Sequence, residues 1–255
     1  MSTRDRAKGL FIVAISLLLA GCPAPIEPGV EPPQPNFMAM TFPPDPIDHG
    51  IFADPGEDFI VLEWTGDIGG TTTGYLIYRS DDDTLNSDGI LKNKAQIGKI
   101  ESPNQLTEPL DTSFVDSVGT KQLGKYYYYQ VQSYHTSGSS VRTLSKPSAV
   151  GYFALLAKAS LHGPNSDSVA KDFLPLTWSD DGSGGRFQIV VRNSVSQDIV
   201  WSTNGFYDYG EPMSQFYNFD STGSALASGQ SYQWRVKKLG DHKGSSSNWQ
   251  FFSVR

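Results

Sequence analysis

The chain has 255 residues, of which 38% are hydrophobic and 12% aromatic, so it carries enough apolar material for two cores of about 100 residues each. Its formal charge of −7 disfavours nucleic acid as a partner, because that affinity rests on lysine and arginine side chains that neutralise phosphates. The single cysteine excludes an intrachain disulfide framework, so apolar burial has to hold each domain together.

The N-terminal segment has the pattern of a secretory signal peptide. A basic stretch from Arg4 to Lys8 precedes an apolar run from Leu10 to Leu19. That run has about ten residues, whereas a membrane-spanning helix needs about 20. We therefore predict that residues 1–21 are a signal peptide that is removed.

The apolar run ends in Leu19-Ala20-Gly21-Cys22, which resembles the lipobox of bacterial lipoproteins. The resemblance implies that Cys22 carries a diacylglycerol on its thiol, that cleavage occurs before it, and that its new amine takes a further acyl chain such as palmitate. Several chains, at about 0.8 kcal/mol per buried CH₂, give a stable anchor. The alternative is an ordinary secretory signal with an incidental cysteine. Pro23 stands where inner-membrane lipoproteins typically carry aspartate, which favours an extracytoplasmic site on an outer membrane or the cell surface.

A proline-rich stretch follows the cysteine. Nine of the 16 prolines lie between Pro23 and Pro46. Such a composition favours extended polyproline II, so residues 22–36 are predicted to be a tether that holds the domains off the bilayer. The alternative is a proline-rich ligand for a recognition domain, carried by residues 32–35.

The rest of the chain repeats one pattern of short β-rich segments after about 110 residues. Each copy places Leu-x-Trp early, at Leu62 and Trp64 and again at Leu176 and Trp178. Clusters of Gly, Asp, Asn and Ser separate the segments, as turns require. The predicted strands of the first domain, residues 37–155, are Phe59–Trp64, Gly74–Arg79, Ala95–Ile100, Ser113–Asp116 and Gly124–Val131. Those of the second domain, residues 156–255, are Phe173–Trp178, Arg186–Arg192, Ile199–Trp201, Phe216–Phe219, Ser231–Val236 and Trp249–Val254.

The residues Leu226-x-x-Gly229-x-x-Tyr232-Gln233-Trp234-Arg235-Val236 resemble the E–F corner and F strand of fibronectin type III domains. The resemblance implies that the Tyr232 hydroxyl ties back to the upstream backbone as a tyrosine corner, with Tyr127 as its counterpart. The first copy departs from the pattern because Lys121 stands six residues before Tyr127, in place of leucine. The predicted fold class is all-β, with two tandem immunoglobulin-like (fibronectin type III-like) β-sandwiches. A single larger jelly roll and a pair of other immunoglobulin-like sandwiches are the alternatives.

Catalytic and metal-binding patterns are weak in this sequence. The four histidines are scattered, and there is no nucleophile elbow, His-Glu-x-x-His or phosphate-binding glycine loop, so we predict that the chain is not an enzyme and has no cofactor. The acidic segment Asp81–Asp83, with Asn86 and Asp88, suggests calcium. It fails the EF-hand spacing because Ala95 stands where an oxygen ligand is needed, so we predict a solvated loop and no metal.

Aromatic side chains are the better candidates for binding. If Tyr75 and Tyr127 point into the first core, strand alternation places Tyr78, Tyr126 and Tyr128 on the opposite face of the same sheet. Contiguous exposed tyrosine marks contact with protein or glycan. The alternative is that this face packs against the second domain or the returning linker.

In the second domain the corresponding face is more polar, and the aromatic residues gather elsewhere. Trp201, Tyr207 and Tyr209 are predicted to form a contact site carried on loops, while Phe216 or Phe219 is predicted to belong to the core.

The function that these features predict is a lipid-anchored, non-catalytic binding or structural module that recruits a protein partner in the envelope or at the cell surface. One alternative is a carbohydrate-binding surface lipoprotein. Another is an accessory subunit of a secretion or polysaccharide-processing assembly.

Changing Cys22→Ser is expected to move the chain from the membrane fraction to the soluble fraction, because the variant lacks the thiol that carries the diacylglycerol. Cell fractionation and mass spectrometry of the N-terminal peptide measure this. A variant that stays at the membrane, beside a wild-type chain that keeps residues 1–21, would contradict the lipoprotein prediction.

Overall fold

The computed structural model describes residues 31–43, 45–66, 71–101, 111–137, 141–170, 174–181, 185–207 and 212–255. Within these ranges all regular secondary structure is β-strand, and there are eighteen strands. The predicted signal peptide, Cys22 and residues 23–30 of the predicted tether lie outside the described residues. In the part of the chain that is described, no helix has the length and apolar character needed to span a bilayer.

The first sandwich consists of β1 (Ile51–Ala53), β2 (Ile60–Glu63), β3 (Gly74–Ser80), β4 (Ala95–Glu101), β5 (Ser113–Asp116), β6 (Tyr126–Ser137), β7 (Val141–Leu144) and β8 (Gly151–Leu155). One sheet has the order β1–β2–β5, and the other has the order β4–β3–β6–β8, with β7 paired to β6. In immunoglobulin-type lettering these are strands A, B and E against C′, C, F and G.

The second sandwich consists of β9 (Ser160–Gly163), β10 (Asp167–Val169), β11 (Pro175–Ser179), β12 (Arg186–Asn193), β13 (Ile199–Ser202), β14 (Phe206–Tyr207), β15 (Met213–Phe216), β16 (Ser231–Gly240), β17 (Lys243–Ser246) and β18 (Gln250–Val254). The order β15–β11–β9 repeats the smaller sheet, with β11 as strand B. The larger sheet runs β10–β18–β16–β12, and β13 and β14 extend it beyond β12, with β16 as strand F. The predicted fold class of two tandem β-sandwiches is confirmed.

Side-chain alternation fills the space between the sheets as the sequence predicts. In the first sandwich, Tyr75, Ile77, Tyr127, Tyr129 and Val131 are all buried. The ring of Trp64 meets that of Tyr75 edge to face, with centroids 5.3 Å apart. In the second sandwich, Trp178 and Trp234 are fully buried in the corresponding core.

Both predicted tyrosine corners are formed. The backbone N–H of Gln122 donates to the Tyr127 hydroxyl at 2.8 Å, and that of Ala227 donates to the Tyr232 hydroxyl at 2.9 Å. Three residues before each tyrosine a glycine has a positive φ, 76° at Gly124 and 78° at Gly229, which other residues adopt only with strain. The backbone conformation at this position therefore explains why glycine recurs three residues before each corner tyrosine.

Lys121 takes the position that Leu226 fills in the second corner, and its side chain is equally buried. Its ammonium group lies 3.1 Å from the carboxylate of Asp116 and donates to the carbonyl oxygen of Val118 at 2.9 Å. Asp116 also accepts from Arg79 and, at 2.9 Å, from the hydroxyl of Tyr129. Burial lowers the pKa of Lys121, and the hydrogen bond to Asp116 opposes that shift. A buried ion network thus replaces an aliphatic contact in the first corner.

The larger sheets of the two sandwiches are joined edge to edge, and we term this contact the joint. Strand β8 pairs in parallel with β17, with Ala154 opposite Lys243 and Leu155 opposite Gly244, so one twelve-stranded sheet runs through both. The predicted boundary between residues 155 and 156 lies directly after β8. The sandwiches are consecutive along the chain and continuous in their backbone hydrogen bonding.

The end of the predicted tether packs on the first sandwich. Pro32 and Pro35 are buried. The hydroxyl of Ser133 donates to the carbonyl oxygen of Pro33 at 2.5 Å, and the side-chain amide of Gln34 donates to that of Pro147 at the same distance. Residues 31–36 therefore do not stand off from the domain, because they form hydrogen bonds with Ser133 on β6 and with Pro147 between β7 and β8.

Trp64→Ala and Trp178→Ala are each expected to lower the free energy of unfolding by about 3–5 kcal/mol, because each removes a fully buried indole. Chemical denaturation measures the change. Val115→Ala on β5, where the side chain is exposed, is the control and should change it by less than about 0.5 kcal/mol. Equal effects for tryptophan and control would contradict the assigned cores.

Candidate functional site

Three aromatic rings of the first sandwich lie side by side on the outer face of its larger sheet. Tyr126 and Tyr128 on β6 flank Tyr152 on β8, with ring centroids 5.8 and 6.0 Å from that of Tyr152. The ring of His242, from the turn between β16 and β17, stacks on Tyr152 at 4.0 Å. These four residues form what we term the tyrosine surface. Both sandwiches contribute to it.

The predicted trio of Tyr78, Tyr126 and Tyr128 does lie on this outer face, and each of the three is half-buried. Tyr78 is partly covered from within its own domain, because the ammonium group of Lys94 lies 4.1 Å from its ring centroid. Next to it, Gln130 is fully buried under the loop between β3 and β4, where it accepts from the Leu91 N–H and donates to the Gly89 carbonyl. The open part of the face is therefore centred on Tyr126, Tyr128 and Tyr152.

The acidic loop that suggested calcium is organised by its own hydrogen bonds. Asp82 accepts from the Thr84 N–H and from the Asn93 side chain, and the side-chain oxygen of Asn86 accepts two backbone N–H groups. The hydrogen bond from Asn93 leads the effects that lower the pKa of Asp82. Among the described residues, no group of three His, Cys, Asp or Glu side chains is placed to hold a metal ion.

The same loop lends negative charge to the tyrosine surface. Burial raises the pKa of the Tyr128 hydroxyl, and the carboxylate of Asp83 raises it further. Asp81 pairs with Lys125 at 2.8 Å. A partner that docks on the rings would therefore meet neutral tyrosine hydroxyls beside carboxylates.

In the second sandwich, the prediction that Trp201 is a contact residue on a loop is wrong. Its side chain is 2% exposed and belongs to the core. The rings of Tyr217 and Phe219 meet it edge to face, and its indole N–H donates to Asp220 at 2.9 Å. Strand β13 turns this tryptophan inward, so it cannot meet a partner.

The prediction that Phe216 or Phe219 is a core residue is also wrong. Phe216 is 51% exposed at the end of β15, and Phe219 is 50% exposed in the turn after it. Trp201 and Met213 belong to the core of the second sandwich instead. Tyr207 is 65% exposed on β14, so it stays available for contact, and Tyr209 lies outside the described residues.

Tyr152 and His242 were not identified from the sequence. Tyr152 lies directly opposite Tyr128 in the β6–β8 register, so alternation along β8 could have located it once that strand was recognised. His242 gives no such signal, because its position follows from the joint between the sandwiches. A third residue, Trp249, stacks against the guanidinium groups of Arg192 and Arg235, 3.8 and 4.6 Å from its ring centroid, on the outer face of the second sandwich.

A buried ion cluster fixes the joint. Residues 45–49 extend from the first sandwich onto the outer face of the second, where Asp48 accepts from Arg235 at 3.1 Å and lies 2.5 Å from the ammonium group of Lys237. All three side chains are largely buried. Burial lowers the pKa of Lys237, and attraction to Asp48 opposes that shift. These charges attract one another across the joint, and that attraction would be lost if the sandwiches separated.

Comparison with known proteins adds little to these observations. No family model and no curated protein matches the chain. Among solved structures, the chain is similar to the FN1–FN3 domains of chicken CNTN1, with 13% identity over 88% of this chain and 69% of that one and a TM-score of 0.32. It is also similar to the fibronectin(III)-like modules of Clostridium thermocellum CbhA, with 14% identity over 80% of this chain and 88% of that one and a TM-score of 0.25.

Asp48→Ala is expected to lower the free energy of unfolding by about 3–5 kcal/mol, because it leaves Arg235 and Lys237 buried without their shared counter-ion. Asp58→Ala, which removes a mostly exposed partner of Lys158 near the same joint, is the control and should cost less than about 1 kcal/mol. Calorimetry measures both variants. If Asp48→Ala unfolds as the control does, the cluster does not hold the joint.

Proposed function

We propose that this chain is a lipid-anchored, non-catalytic binding module of the cell envelope or cell surface, which recruits a protein partner through the tyrosine surface. The observation that carries the proposal is the stack of His242 on Tyr152, because it makes one aromatic surface out of two sandwiches. Such a surface exists only while their relative position is fixed.

The chemistry of this surface suits a protein partner. Tyrosine rings supply a large, rigid contact area at low cost in side-chain entropy, and their hydroxyls donate and accept at the rim. The ring of Tyr152 already contacts those of Tyr126 and Tyr128, so little side-chain freedom remains to be lost on binding. The joint, held by the β8–β17 pairing and by Asp48, keeps His242 in register with them.

The position of the tether agrees with this proposal. Pro33 is held by Ser133, which lies seven residues along β6 from Tyr126, or about 23 Å at the rise of an extended strand. The tether thus meets the first sandwich well away from the tyrosine surface. Acylation at Cys22, as the lipobox predicts, would anchor the chain at an outer membrane or cell surface and leave the joint free to meet a partner.

A glycan is the second candidate for the same surface. Sugars stack on aromatic rings, and their hydroxyl groups donate hydrogen bonds to carboxylates. Here Asp83 lies near enough to Tyr128 to raise the pKa of the tyrosine hydroxyl. A glycan would use the rings and the acidic loop together, whereas a protein partner would extend across the joint to His242.

The double variant Tyr126→Ser, Tyr128→Ser is expected to fold yet to bind its partner more than tenfold more weakly, because interface tyrosines contribute about 2 kcal/mol each. Thermal unfolding checks the fold, and capture of partners from native envelopes by the acylated chain measures binding. A glycan array identifies the second candidate.

Phe216→Ser is the matched control, since it removes an aromatic ring that is 51% exposed on β15, in the smaller sheet of the second sandwich and not beside β17. It should bind as the wild type does. A stable double variant that captures the same partners with undiminished affinity would remove the tyrosine surface as the contact site.

A further inference from the structure

A lysine and two aspartates meet inside the second sandwich, away from the tyrosine surface. The ammonium nitrogen of Lys238 lies 2.5 Å from a carboxylate oxygen of Asp180 and 2.8 Å from one of Asp181. The side chains of Lys238 and Asp180 have essentially no exposure, whereas that of Asp181 is 41% exposed. An amine and a carboxyl group are thus held in contact without water, beside a second carboxyl group that reaches solvent.

This contact bridges the two sheets of the sandwich. Asp180 directly follows β11 in the smaller sheet, and Lys238 lies on β16 in the larger sheet. Two aromatic residues lie on the neighbouring strands. Phe187 lies opposite Lys238 in the β12–β16 register, and the ring of Trp178, two residues before Asp180, lies 6.1 Å from that of Phe187.

The backbone also makes room for the lysine. A Cβ atom at Gly185 would lie 3.2 Å from both Cγ and Cε of Lys238, so the glycine lets the aliphatic stem pass beside β12. The stem is therefore closely packed against the backbone at Gly185. Such confinement raises the effective concentration of one reacting group beside the other.

We propose that Lys238 and Asp180 become joined by an intramolecular amide bond, with Asp181 as the proton shuttle. A proton transfer from the Lys238 ammonium to the Asp180 carboxylate gives a neutral amine and a carboxylic acid, which are the two forms that react. The nitrogen lone pair then forms a bond to Cγ of Asp180. Asp181 accepts a proton from that nitrogen and delivers it to the hydroxyl group of the tetrahedral intermediate. The C–O bond breaks, one water leaves, and no oxidant or reductant is needed.

Two other buried lysine–aspartate pairs lie in the described residues. Asp116, beside Lys121, accepts from the guanidinium of Arg79 through both carboxylate oxygens, at 2.9 and 2.8 Å. Asp48, beside Lys237, accepts from Arg235. A carboxylate held by a guanidinium stays ionised, and an ionised carboxylate is a poor electrophile. These two pairs are therefore expected to stay unlinked.

The link would fasten strand B to strand F. Antibody domains join the same two strands with a disulfide. Here Cys22 is the only cysteine, so a disulfide cannot serve within the chain. An amide bond would perform the same cross-linking without cysteine and would resist reduction.

Peptide mapping of the full-length protein tests the proposal. Trypsin cannot cleave after an acylated lysine, so a linked chain yields peptide 172–186 joined to peptide 238–243, with the mass of the pair less one water. Free peptides from the folded wild-type protein, with cleavage after Lys238, would overturn the proposal.

Three variants sharpen the test. Asp180→Ala and Lys238→Met must each abolish the linked peptide, and Asp181→Asn should leave a folded protein that is unlinked or links far more slowly. A linked peptide that persists at the wild-type level in Asp181→Asn would remove Asp181 as the shuttle. Lys121→Leu, which removes the buried lysine of the first sandwich, is the matched control and must retain the link; its loss there would assign the mass to another site.

Discussion

Backbone hydrogen bonds between β8 and β17 turn the larger sheets of two sandwiches into one, and this joint determines where the other functional features lie. It places His242 on Tyr152 and brings Asp48 to Arg235. Strand edges that would otherwise be free to pair with other chains cover each other instead. The joint therefore creates an aromatic surface and removes two exposed edges at once.

Buried polar side chains distinguish the first corner from the second and link the two sandwiches. Lys121 and Asp116 replace an aliphatic contact in the first corner, and Asp48 joins the sandwiches through two cations. Buried ion pairs contribute little net stability compared with apolar packing, because each charge has to be desolvated. Their effect lies in orientation, since each pairing is favourable in only one arrangement of its strands. The mutual position of the sandwiches is thus set by charge as well as by backbone pairing.

The sequence predicted the parts of the structure that depend on local spacing. Strand alternation identified the core positions from Tyr75 to Val131, and the spacing of glycine and tyrosine located both corners. It failed for Trp201 and Phe216, because the segment between β12 and β16 has short strands and turns in which two-residue alternation does not persist. Tyr152 was missed because β8 was not recognised as a strand, and its contact with His242 was missed for a different reason. Their contact depends on how the two sandwiches meet, which no local pattern encodes.

The two copies use the same outward position for different contacts. Gln130 lies three residues after the corner tyrosine of the first sandwich and holds that sandwich's own loop. Arg235 lies three residues after the corner tyrosine of the second and holds Asp48 of the first. Gln188, beside it on β12, donates to the carbonyl oxygen of Asp45 at 3.4 Å. The outer face of the second sandwich is therefore occupied in part by the first, whereas the loop held by Gln130 leaves Tyr126 and Tyr128 partly exposed. At this position, therefore, the outer face of the second sandwich contacts the first sandwich, whereas that of the first sandwich contacts its own loop.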